Sequence, residues 1–241
     1  MTTHGRTRQP VSLDHGPARD WRVVLLTITA GAVNAVSFIA LGKVFSSVIT
    51  GNMVLLGVAA TTGNSAAAIH AGVALAGYAA GVLVGAPIAA RGGEDHGNTW
   101  PVSVTATLAA ELVVLAAFCA GWEAAAGHPH GGAQIALLIV ISAAMGIQAS
   151  AVRRLGQMSS TYLTSTLTAV LAGLATRKAP EGLARSLGSL IVIVAGAVAG
   201  GFLVTTSAYP WLPVVILLPL CLVIAGAVSA HRQAARTDQG R

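Results

Sequence analysis

The sequence predicts an all-α, polytopic transmembrane helix bundle of six full spans plus two interrupted or re-entrant segments, arranged as an inverted internal repeat. Three observations lead there. Hydrophobic residues make up 54% of the 241-residue chain, charged residues only 9%, and mean hydropathy is +0.74; an ordinary soluble domain has about a quarter of its residues charged. The apolar residues gather into runs near the roughly 20 residues that cross a hydrocarbon core as a helix. Finally, a pattern in the first third returns in the last: Gly31-Ala32-Val33-Asn34-Ala35, Leu41-Gly42 and Thr50-Gly51-Asn52 are echoed by Gly146-Ile147-Gln148-Ala149-Ser150, Leu155-Gly156 and Thr164-Ser165-Thr166.

Residues 1–20 are polar and rich in Arg, His and Pro, and the apolar run behind them is full length rather than the shorter core of a secretory signal. They are expected to be a disordered cytosolic tail before a retained first helix. Six runs are long enough to span: Val23 to Leu41, Ala66 to Ala90, Pro101 to Gly121, Ala133 to Val152, Leu183 to Thr206 and Trp211 to Ala230. Val44 to Ala60 and Met158 to Thr176 are near the length limit and carry the repeated polar trios, so they either cross a thinned bilayer or re-enter. This divides the chain into a first membrane repeat over 21–121, an external loop over 122–132, a second membrane repeat over 133–230 and a cytosolic tail over 231–241.

Lys and Arg collect on the cytoplasmic side of membrane proteins. With the N-terminus inside and both short segments re-entrant, all of the 14 Lys and Arg except Lys43 fall on that side. If both cross, Arg91, Arg153 and Arg154 move outside as well. The re-entrant topology fits better, and it puts three full spans in each half, so the second half starts from the opposite side. All four tryptophans, Trp21, Trp100, Trp122 and Trp211, fall at span ends, the pattern of an interfacial aromatic belt.

Gly77, Gly81 and Gly85 are spaced by four, as are Gly196 and Gly200. Such stripes let helices approach backbone to backbone in lipid, within one bundle or across a homodimer face. At Thr50-Gly51-Asn52 the glycine loosens the helix, while Thr and Asn offer groups able to satisfy freed backbone or bind a ligand. Asn34 and Gln148 are amides within apolar spans, suited to interhelical bonding or to lining a cavity. Glu111 stands mid-span, where a carboxylate is expensive and is by default a functional candidate. A carboxyl that takes up and releases a proton as its site opens to water is what proton coupling requires.

Candidate substrate-binding residues are therefore Asn34, Thr50, Gly51, Asn52, Gln148 and Thr164, with Glu111 the candidate for proton coupling. His128 and His130 lack further nearby ligands, so no metal is expected. Cys119 and Cys221 lie in apolar runs and read as packing residues. No nucleotide fingerprint, phosphate loop or nucleophile and base constellation is present, so no cofactor and no enzymatic role are expected. Scattered loop cations, accounted for by orientation, give no reason to expect nucleic acid.

Gly31, Asn34-Ala35, Phe38, Leu41-Gly42, Val44-Phe45 and Thr50-Gly51-Asn52, with Gly146, Gln148, Arg153-Arg154, Thr161-Tyr162 and Thr164, resemble the YoaK-like family. This is a bacterial group of integral membrane proteins of unknown function, and the resemblance covers about Trp21 to Ala230. It implies a bacterial inner-membrane location and a permease-like role. Asn34 stands where members commonly carry Asp, and Thr164-Ser165 where the second repeat usually reads Thr-Gly; if the acid couples ions in relatives, that role shifts here toward Glu111. The expected function is a small-solute permease, with a non-transporting membrane scaffold as the alternative.

Overall fold

A computed structural model describes residues 17–91, 100–155, 160–176, 183–206 and 208–239. The expected tail therefore lies outside the described residues up to position 16, and the first helix takes in its last four. Among the described residues eight α-helices follow one another: α1 (Pro17–Ala40), α2 (Ile49–Thr62), α3 (Ser65–Ala90), α4 (Val102–Ala124), α5 (Gly131–Arg154), α6 (Ser160–Ala175), α7 (Leu183–Thr205) and, after a 3-10 turn at Tyr209–Trp211, α8 (Leu212–Gln239). Six are long and apolar enough to cross a membrane; α2 is not. At 1.5 Å per residue its 14 residues reach about 21 Å, short of a core about 30 Å thick.

The glycine stripes set the bundle. A methyl group added to Gly77 would lie 2.8 Å from the Ile139 carbonyl oxygen, and one on Gly85 2.9 Å from Ile147 Cα. One on Gly81 would strike the backbone of Ala143. Both numbers rise by four together, so α3 and α5 run parallel, backbone against backbone. On the other side Gly196 meets Ile28, and Gly200 meets Ala32 at 2.6 Å, so α1 and α7 are also parallel. The two crossings correspond residue by residue. Gly31 and Gly146, Ile28 and Ala143, and Gly81 and Gly196 are each 115 positions apart, as 146 is from 31.

Contacts at the helix ends fix the directions. Gln134 Nε2 donates to the Ala40 carbonyl at 2.8 Å, placing the start of α5 at the end of α1. The Arg22 guanidinium lies 4.7 Å over the Trp100 ring and donates to the Gly226 carbonyl at 2.8 Å, placing the start of α1 with the start of α4 and the middle of α8, while Tyr209, just before α8, packs on Gly127, just past α4. Thus α1, α4 and α7 run one way and α3, α5 and α8 the other. Each long helix of the first half is antiparallel to its counterpart in the second, which is the inverted repeat that the motif echo predicts.

On one face, the α1-start face, lie Arg22, Arg91, Arg153, Arg154, Arg232 and Arg236; on the other lies Lys43. Large apolar side chains cover the flanks, including Leu83, Val113, Ile191 and Val198, as a lipid-facing surface requires. The glycine stripes expected as a possible homodimer face are occupied within the chain. The tryptophans divide: Trp21 and Trp211 are exposed at span ends, whereas Trp100 is buried under Arg22 and Trp122 is buried beside Phe118. Only the first two stand where a belt would meet lipid.

Candidate functional site

The first interrupted segment is built by two asparagines. After α1 the chain turns through Gly42 (φ +104°) and Lys43 (φ +61°), both left-handed, the first with its α-carbon against the His70 ring of α3. Residues 41–48 then fold back beside α1 as irregular backbone, with Leu41, Val44 and Ser46 buried. Irregular backbone at membrane depth needs its polar groups satisfied by protein, and side-chain amides supply this. Asn34 Oδ1 accepts from the Ser47 N–H at 3.1 Å and the Ser46 hydroxyl at 3.3 Å, while its Nδ2 donates to Ser47 Oγ at 2.7 Å and the Ala30 carbonyl at 2.9 Å. Those four bonds use the amide's full capacity.

Asn52 is fully buried and pairs with both backbone groups of one residue. Its Oδ1 accepts from the Phe45 N–H at 2.9 Å and its Nδ2 donates to the Phe45 carbonyl. Ser47 at Asn34 lies six residues, or about 9 Å of helix, below the end of α1. From this depth α2 returns to the face it left. It ends at Gly63 (φ +66°), and Asn64 Oδ1 caps α3 by accepting from the Ala67 N–H at 3.0 Å. Since α3 begins beside the end of α1, the segment enters and leaves on one face, so it is re-entrant.

The sequence reading places the break at Thr50-Gly51-Asn52. In the structure that trio is the first turn of α2, and the break is the preceding segment 41–48. Thr50 is exposed, and the space around Gly51 admits a methyl group at 3.4 Å from Val48. Gly51→Ala is therefore expected to leave thermal stability unchanged or to raise it slightly, by up to about 1 kcal/mol of helix propensity. Asn52→Ala orphans the N–H and carbonyl of Phe45 and is expected to cost about 2–6 kcal/mol, at about 1–3 kcal/mol per unsatisfied group. Thermal unfolding in detergent measures both, and equal midpoints for the two variants would contradict the clamp.

In the second copy the places of Asn34 and Asn52 are taken by Ala149 and Thr166, so this double amide clamp is specific to the first. Thr164 belongs to α6, but its side chain lies outside the described residues, as does the structure of 156–159.

A second polar group lies where the repeats meet. Glu111 is fully buried on α4, and neither carboxylate oxygen has a hydrogen-bond partner among the described residues. The antiparallel pair α4 and α5 is in register at Gly121, over which Leu137 packs. Glu111 is ten residues from that contact and Gln148 eleven, so each lies about 15–16 Å along its helix, at one depth. Gln148 is 6% exposed and its Nε2 is likewise unpartnered among the described residues. A carboxyl from one repeat and an amide from the other thus share a level mid-membrane, both with unused capacity. The sequence reading singles out both residues; their common depth depends on the α4–α5 register.

It misses Ser46, Ser47, Gln134 and Arg22, whose roles depend on where the chain folds back; the adjacent hydroxyls Ser46-Ser47 are the only local signal. His128 contacts the Ala126 carbonyl through Nδ1 at 2.8 Å and stands edge-on to Tyr209, and no group of three or more His, Cys, Asp or Glu forms a metal site among the described residues. Cys119 and Cys221 are free thiols.

Antiparallel repeats that each carry a short helix between their first two spans, with buried polar groups where the repeats meet, define a multi-pass membrane protein of duplicated, inverted architecture. Within that class, the chain belongs to the family described as "Protein of unknown function (DUF1275)", whose model matches residues 23–227. It is similar to the UPF0700 transmembrane protein YoaK of Bacillus subtilis (strain 168), at 35% identity over 156 residues. That match covers 64% of this chain and 66% of the relative, so it spans just under two thirds of the relative's length. No solved structure matches the chain.

Proposed function

We propose that the chain is a secondary transporter of a small solute, with Glu111 as the proton-carrying group at the repeat interface. The observation that carries this reading is the unpartnered, fully buried carboxyl of Glu111 at the depth of Gln148. An ionisable group inside a membrane protein is costly, and such residues mark ion and substrate paths. Inverted repeats place the sites of many transporters at the midplane between the halves. Gln148, Thr50 and Thr164 remain candidates to line the path. Asn34 and Asn52, with Gly51 beside them, act by holding the re-entrant segment. The arginine-rich face is the cytoplasmic one by the positive-inside rule, which puts both termini in the cytosol of a bacterial inner-membrane protein. The reading assigns the chain no bond-breaking chemistry.

A scaffold reading draws on a different observation: the Asn34 amide is spent on internal bonds and the helices interlock through glycines. Purified protein in vesicles loaded with a pH-sensitive dye separates the two. Transport predicts that some member of a panel of amino acids, sugars, organic acids and inorganic ions drives a lumenal pH change that folded Glu111→Gln protein loses. A silent panel, or a signal that survives Glu111→Gln unchanged, would sink the proton-coupled reading.

A further inference from the structure

We infer that α8 carries a binding site for an anionic phospholipid on the arginine-rich face, between its outer surface and the middle of α4. A groove of about 540 Å³ runs there, with Leu112 of α4 at its deep end and Arg232 and Arg236 of α8 at its mouth. Along α8, Cys221, Ala225, Val228, Arg232 and Arg236 succeed one another at steps of three or four residues, so they form one helix face. The deep part of that face is apolar and the shallow part cationic, which is the order of a lipid read from chain to headgroup.

The depth is fixed by Arg22. Its bond to the Gly226 carbonyl, with the guanidinium close to the rings of both Trp21 and Trp100, marks where α8 passes the aromatic level of this face. Arg232 is six residues beyond, about 9 Å, and Arg236 about 15 Å. Helical side chains lean toward the N-terminus, so both guanidiniums reach back toward the headgroup layer while Cys221 and Leu112 stay at acyl-chain depth. Guanidinium suits a phosphodiester because its fork donates paired hydrogen bonds to phosphate oxygens. In the first repeat α4 stops at Ala124 with Glu123 in its last turn, so the basic extension belongs to the second copy alone. The occupant is thus a lipid of one leaflet, held by an apolar trough and a charge of opposite sign.

Native mass spectrometry of the full chain released from mixed micelles of phosphatidylglycerol and phosphatidylcholine tests this. Wild-type protein is expected to retain phosphatidylglycerol preferentially. Each arginine near an anionic surface contributes a factor of about five, so Arg232→Gln/Arg236→Gln should reduce the preference by roughly 25-fold. Ala225→Trp, which fills the trough at an exposed position, should reduce retention of the lipid with the arginines intact. Arg153→Gln, an exposed cation on the same face outside the groove, should change little. An unchanged preference in the double variant, an equal loss in Arg153→Gln, or displacement of the lipid by inorganic phosphate would each overturn the site.

Discussion

Gly81→Leu is expected to yield no folded protein, and Gly81→Ala a protein that unfolds well below the wild type. The first atom of any side chain at position 81 meets the backbone carbonyl group and α-carbon of Ala143, all within 3 Å. Backbone cannot rotate aside as a side chain can, so α3 and α5 must separate. In lipid, where tails are as apolar as leucine, helix association depends on close van der Waals packing, and separation forfeits it along the whole stripe from Gly77 to Gly85. Overpacking of a tight core costs about 1–3 kcal/mol. At about 2–4 °C per kcal/mol for a chain of this size, the alanine variant should lose up to about 12 °C.

The inverted repeat sharpens the prediction, because Gly196, 115 positions on from Gly81, meets the backbone of Ile28 in the matching crossing. Gly196→Ala should therefore fall by a similar amount. Gly72 sits on α3 with nothing within 4 Å of where its side chain would start, and Gly72→Ala should leave stability unchanged or raise it, by up to about 1 kcal/mol of helix propensity. Heating purified protein in detergent and following the folded peak by size exclusion gives all three. Midpoints for Gly81→Ala and Gly72→Ala that coincide would show that the crossing is not the source of stability.

Those glycines were readable in the chain because spacing by four and runs of about 20 apolar residues are one-dimensional signals. The inverted relation was readable as well, since the repeated motif and an odd number of spans per half require it. What could not be read is where an amide finds its partners. Asn34 and Asn52 look like ligand-binding residues in an apolar sequence, yet their groups are engaged by Ser46, Ser47 and the backbone of Phe45, a segment brought back only by the left-handed turn at Gly42-Lys43. Likewise a glycine in the first turn of a helix costs only about 1 kcal/mol, too little for Gly51 to stop α2. Trp100 and Trp122 show the same limit: position in a span end is legible, but whether the ring faces lipid or Arg22 is a matter of packing.

Glu111→Leu is expected to raise the thermal midpoint while abolishing any proton-coupled flux. Both carboxylate oxygens are buried without a partner among the described residues, and a polar group in that state costs about 1–3 kcal/mol, which an apolar residue of similar volume does not incur. The midpoint should climb by roughly 2–12 °C on the same scale. On the proposed reading the carboxyl is kept for its proton at a cost in stability, the familiar opposition of stability and activity. Glu111→Gln keeps the shape and hydrogen-bonding capacity but cannot exchange a proton, so it should fold with a midpoint near the wild type and still carry no coupled flux. Glu111→Lys places an uncompensated cation at the same depth and should not accumulate. The opposite result would be equally decisive: if Glu111→Leu unfolds at a lower temperature than the wild type, the carboxyl is holding the α4–α5 contact together, and the scaffold reading takes first place.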